Sequence, residues 1–159
     1  MTEFAQIACE QLIKNLIQMP LNHVWRGHGS ALFLEFGLLE PVLLRNGKQG
    51  HPRGEMSVHP GTDWRFEQAG RVVCAAYGNE DHWHKTWASL IGQRLVAIDI
   101  GNSIPDLTLS FENGTRLRSF VLTEEPPAWT LTDHRQKPEL WISWRQGALF
   151  ADDGKTPPD

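Results

Sequence analysis

The chain has little of what marks several common protein classes. In 159 residues it has two cysteines and one tyrosine. No run approaches the roughly 18 apolar residues that a membrane span needs. The N-terminus shows no basic segment followed by an apolar one, so no secretory signal is read there. Cys9 and Cys74 have no motif spacing, and free thiols in a cytoplasmic protein are the expectation. An excess of positive charge is also missing. Fifteen Lys and Arg stand against 19 Asp and Glu, a net charge of −4, which argues against nucleic-acid binding by general electrostatics. The nucleophile elbow, the P-loop, the dinucleotide glycine fingerprint and the His-Glu-x-x-His zinc motif are all absent. These absences lead us to expect no catalytic constellation, no metal, no cofactor, no nucleic-acid partner and no membrane.

What is present is a repeat. Leu16-Ile17, Leu21, Val24 and Gly27 match Leu90-Ile91, Leu95, Ile98 and Gly101 at one constant offset. One extra residue then brings Leu32, Leu34 and Phe36 onto Leu107, Leu109 and Phe111. Trp64 and Gly70 fall on Trp141 and Gly147, which makes the two tryptophans an expected core pair. The expectation is an internal duplication, residues 1–77 and 78–150, followed by a disordered tail over 151–159. The negative charge is uneven: the first segment has seven basic and seven acidic residues, the second, with the tail, eight and twelve. Copies that differ in charge have diverged in what they contact.

Periodicity supplies the elements. Phe4, Ala8, Leu12 and Leu16, widened by Ala5, Cys9, Ile13 and Ile17, form a helical stripe, with Thr2 as its cap and Pro20 closing it. Trp83, Trp87, Leu90 and Ile91 predict a second helix from about Asn79 to Ile91, stopped by Gly92. After each helix the period changes to two. Leu32-x-Leu34-x-Phe36 and Leu107-x-Leu109-x-Phe111 read as strands, with His23–Arg26 and Val96–Ile100 as hairpin partners. Asn113-Gly114 predicts a two-residue hairpin turn, with Arg116–Leu122 as the next strand. Trp129–Leu131, Glu139–Trp144 and Ala148–Phe150 complete the set. The first copy carries an irregular insert from Arg45 to Gly54, rich in turn residues. The fold expected is α+β. Each copy is one amphipathic helix followed by a mostly antiparallel meander, and the two pack about a pseudo-twofold axis as one integrated domain.

Candidate chemistry concentrates in the first copy. In His23-Val24-Trp25-Arg26-Gly27-His28, the polar residues have no counterparts in Ala97–Asn102. The following loop adds Lys48, His51, Arg53 and His59. A ligand site would draw on His23, Trp25, Arg26, His28, His51, Arg53 and His59, with Arg as the group for a carboxylate or phosphate. His82 and His84 lie two apart on a helix and cannot share a metal. Cys74 reads as a buried structural thiol. Glu35, matched by Ser110, should point away from the core.

The motifs Leu90-Ile91-Gly92-Gln93-x-Leu95, Asp106-Leu-Thr-Leu-Ser-Phe-Glu-Asn-Gly114-x-x-Leu117-x-x-Phe120 and Trp129-x-Leu131 resemble a bacterial domain of unknown function found in small cytosolic proteins. The resemblance implies a partner-binding role of the immunity-protein kind and brings no catalytic residue. The sequence therefore leads us to expect a non-enzymatic protein that binds a partner protein or itself. The alternative is a small-molecule or anion-binding protein, or an enzyme, with its site around His23–His28 and the Arg45–Arg65 loop.

Overall fold

The computed structural model describes residues 3–123 and 128–154. Two helices and eleven strands follow one another as α1 (Glu3–Leu16), β1 (Leu21–Arg26), β2 (Leu32–Phe36), β3 (Met56–Gly61), β4 (Trp64–Gln68), β5 (Arg71–Ala75), α2 (Glu80–Leu90), β6 (Leu95–Ile100), β7 (Leu107–Phe111), β8 (Arg116–Ser119), β9 (Trp129–Asp133), β10 (Leu140–Arg145) and β11 (Ala148–Asp152). They build two antiparallel sheets, ordered β1-β2-β3-β9-β10-β11 and β5-β4-β8-β7-β6. The fold is α+β. The six-stranded sheet joins strands from both ends of the chain through the pairing of β3 with β9, and the five-stranded sheet takes the middle of the chain, where β4 pairs with β8.

Strand alternation decides which residues enter the core. In the six-stranded sheet Val24, Leu34, Val58, Leu131 and Ile142 lie side by side, all buried. In the other sheet the matching row is Ile98, Leu109, Leu117, Phe66 and Cys74. The apolar stripe of α1, with Ala5, Ala8, Cys9, Leu12 and Leu16 buried, lies against β9, β10 and β11. Helix α2 lies against β5, its Trp83 and Trp87 meeting Trp64 at ring distances of 5.2 and 6.4 Å. Asn79 caps α2 by accepting from the Asp81 amide. Each fully buried Leu or Phe contributes roughly 1.5–3 kcal/mol. Phe36 and Phe111 stack across the centre at 6.4 Å, joining the two sheets in one core.

A short seam joins the chain after α1 to the chain after α2. Gln18 N donates to Leu95 O at 2.7 Å and Gly92 N to Leu21 O at 2.7 Å. Leu21 N donates to Gln93 O at 2.9 Å and Leu95 N to Met19 O at 3.0 Å. Pro20 and Arg94 face each other at its middle.

Several expectations change. Trp141 is 48 % exposed, because its neighbours Leu140 and Ile142 face the core and alternation turns it outward. Trp129 stands in its stead. Its Nε1 donates to Pro105 O at 2.8 Å, as Trp64 Nε1 donates to Ser30 O at 2.7 Å. At Asn113-Gly114 only Gly114 takes a positive φ, and the Asn113 side chain accepts from the Thr115 amide. The two-residue turns with positive φ at both positions are Ala69-Gly70 and Gln146-Gly147. The strand expected to reach Leu122 ends at Ser119. Ala151 and Asp152, expected in the tail, belong to β11. Residues 155–159 and the Thr2 cap lie outside the described residues.

Candidate functional site

The insert expected over Arg45–Gly54 contains no helix or strand, and isolated bridges tie residues 37–55 to one another. Glu40 and Arg53 exchange backbone hydrogen bonds at 2.7 and 2.9 Å, Gly50 N donates to Val42 O, and Leu44 N to Lys48 O. The segment is a ribbon-like arm with Asn46-Gly47 at its tip. It returns to the sheet at Gly54, where an added Cβ would stand 2.3 Å from Phe36 O, so only glycine fits.

The arm covers part of the outer face of the six-stranded sheet and alters the outward side chains of β1–β3. Four rings stack nearly parallel. His51 lies over Trp25 at 4.6 Å, Trp25 over Phe33 at 4.1 Å, and Phe33 over His59 at 4.3 Å. His23 Nε2 meets His51 Nδ1 at 3.0 Å, a contact that needs one nitrogen to donate and the other to accept. Burial, and then His51, hold the His23 pKa below the usual imidazole range. Burial also lowers that of His59, outweighing its hydrogen bond to Leu32 O.

Beside the stack runs a chain of polar groups. Glu35 points away from the core as expected, yet it is only 4 % exposed, because the arm and Trp25 cover it. Its carboxylate accepts from Gly54 N at 3.2 Å, from Trp25 Nε1 at 3.4 Å and from the Ser57 hydroxyl. Ser57 Oγ also lies 2.7 Å from His134 Nε2, whose Nδ1 is 3.0 Å from Glu139 Oε1. Arg53 Nη1 reaches the same Glu139 oxygen at 3.2 Å. Burial opposes ionisation of Glu139, but the His134 hydrogen bond, together with His134, Arg53 and Lys137, holds its carboxyl below the usual range.

Of the seven residues expected to form a site, the structure gathers His23, Trp25, His51 and His59 in or beside the ring stack. Arg53 joins the polar chain through Glu139. Arg26 belongs elsewhere: it pairs with Glu80 at 2.5 Å and lies over the Trp83 ring, tying β1 to α2. His28 stands exposed in the β1–β2 turn. Glu35, Ser57, His134 and Glu139 were not foreseen. The available signal was the insert itself, since a segment laid over a sheet buries residues that alternation alone assigns to solvent.

Ser57, His134 and Glu139 have the spacing of a nucleophile, a base and an orienting carboxylate. The serine has a single hydroxyl proton, however, and gives it to Glu35, so Ser57 can accept from His134 only where Nε2 carries a hydrogen. The chemistry this arrangement performs best is fastening, because it locks the arm to β2, β3 and the β9–β10 turn. Among the described residues no group of three or more metal-binding side chains converges. No protein-family model, curated protein or solved structure matches the chain.

Proposed function

We propose that the protein is a non-enzymatic, cytoplasmic partner-binding module that docks a second protein through the arm of its six-stranded sheet. The observation that carries this reading is the arm's surface. Its backbone is engaged and its base is fastened, yet Leu38 and Leu43 are each 76 % exposed and Leu44 48 %. An ordered element that holds several leucines in water is a docking surface in search of a partner. Arg45 and Lys48 beside the tip make no ion pair among the described residues, so the arm suits an apolar groove with an acidic rim. Buried free thiols at Cys9 and Cys74 suit a reducing compartment. The test is a comparison of wild type with Leu38→Ser/Leu43→Ser/Leu44→Ser, each isolated from its native cells. A stoichiometric partner should accompany the wild type and be lost from the variant. Wild type free of any partner and turning over a small substrate would end the reading.

We further propose that the chain is a duplication with a twofold-related core. Its support lies in the seam, where Gln18 and Gly92, Met19 and Gln93, Pro20 and Arg94, and Leu21 and Leu95 are equivalent by the repeat. Each hydrogen bond there has its symmetric twin, as a twofold contact requires. The β1–β2 and β6–β7 hairpins share a register, including a bulge after Leu21 and after Leu95.

One observation favours the alternative, an enzyme or small-molecule site: the Ser57–His134–Glu139 spacing. A fluorophosphonate probe that labels Ser57 stoichiometrically would shift the reading to a hydrolase. With its proton committed to Glu35, Ser57 is expected to stay unlabelled.

A further inference from the structure

A cavity of about 560 Å³ opens at the other sheet, between α2 and β5. Its place in the fold follows from the strand order. In the six-stranded sheet β11 lies beyond β10 and packs against α1, with Leu149 buried. In the five-stranded sheet β5 is the edge, α2 packs against it, and among the described residues no strand lies beyond. The open groove stands where the first sheet is filled.

Its lining is one-sided in charge. Arg71 reaches it from β5, His82 and Lys85 from α2 and Gln68 from the end of β4, with Val72 and Val73 as an apolar wall. No lining residue is acidic, on a chain of net charge −4. Arg71 and Lys85 make no ion pair among the described residues, unlike Arg26, Arg53, Arg65, Arg118 and Arg135. Glu80, in the first turn of α2, is occupied by Arg26. The repeat places Ala8 and Gln11 opposite His82 and Lys85, so these two side chains belong to this groove alone.

We propose that this groove binds a small organic anion, a phosphate or carboxylate group carried on an apolar body. Arg71 and Lys85 hold the charge, the Gln68 amide donates beside them, and Val72 and Val73 take the apolar part. A strand added to β5 is the poorer occupant, because the pairing of β5 with β4 breaks register between Phe66 and Glu67, and such irregularity blunts an edge. The inference rests on the α2–β5 groove and not on the arm.

Amide-resolved NMR titration of the intact protein tests it, with phenyl phosphate, benzoate, inorganic phosphate and neutral benzyl alcohol as probes. One or both aromatic anions should give saturating shifts confined to β5 and α2, with a Kd below about 1 mM. The arm that saturates separates a phosphate from a carboxylate ligand. Benzyl alcohol should not bind, and added salt should weaken the anions. Arg71→Ala/Lys85→Ala should lower affinity at least about tenfold with an unchanged Tm, since both side chains are exposed. Lys85→Glu should abolish binding. Failure of both aromatic anions to saturate by about 10 mM would overturn the proposal, as would equal binding of benzyl alcohol or undiminished binding by the variants.

Discussion

At Glu35 three donors converge on one buried carboxylate, so the residue fastens as much as any apolar contact in its neighbourhood. Glu35→Ala leaves the Ser57 hydroxyl, the Gly54 amide and the Trp25 indole without their acceptor, and chemical denaturation should show a loss of about 3 kcal/mol. Glu35→Gln keeps an acceptor oxygen and should lose less, about 1 kcal/mol. The pH dependence follows from neighbouring groups. His23 and His59 have folded pKa values below the ordinary 6.5, so on acidification the unfolded chain takes up protons first. Their contribution is full above pH 6.5 and declines below it, toward the folded values. Glu139 and Asp133 are also lowered, from 4.5 and 3.8, and their contribution is lost only as pH falls through those values and below. Denaturation curves should therefore show stability falling in two stages, and a flat profile between pH 7 and 5 would contradict the first. Burial, helped by Glu10, pushes the Cys9 thiol up to about 11, and burial raises Cys74 as well. Neither should react with a disulfide reagent at pH 8 until the protein unfolds, as a thiol-release assay would show.

Among the elements, the arm separates exposure from stability. Because Leu38 and Leu43 contact mainly solvent, replacing these two with serine should change stability by no more than about 0.5 kcal/mol. A large loss would mean that they pack inward and are not offered to a partner. Periodicity made much of this level legible. The four-residue stripe of α1 buries Ala8, Leu12 and Leu16 but leaves its first member, Phe4, 40 % exposed, and the Leu-x-Leu-x-Phe strands place their side chains where alternation requires. What was hidden depended on contacts between distant segments. The repeated Trp-x5-Gly spacing matched Trp64 with Trp141, yet the faces those residues present are set by which strands pair, and that is not written locally. Glu35 points away from the core as alternation predicts, but nothing within β2 announces that residues 37–55 lie over it and bury it. His134 and Glu139, in the β9–β10 turn, reach Ser57 only through the pairing of β3 with β9. Four of the seven residues expected to form the ligand site gathered for a related reason. His23, Trp25 and His59 share the outer face, while Arg26 at the end of β1 turns to α2.

For the whole molecule, the strand exchange makes a strong statement about folding. Neither sheet can be completed by residues 1–78 or 79–159 alone, since β3 needs β9 and β8 needs β4. A chain cut between Gly78 and Asn79 should give two pieces without cooperative unfolding transitions, and mixing them should restore one shared transition by circular dichroism. A half that folds cooperatively by itself would contradict the interleaved core.

The most direct test of partner docking is a photo-crosslinking residue at position 43, introduced in the native cells, with position 99 on the other sheet as control. The account predicts one dominant protein adduct from position 43, stoichiometric under saturating light and absent from position 99. No adduct from position 43, or the same adducts from both positions, would contradict it.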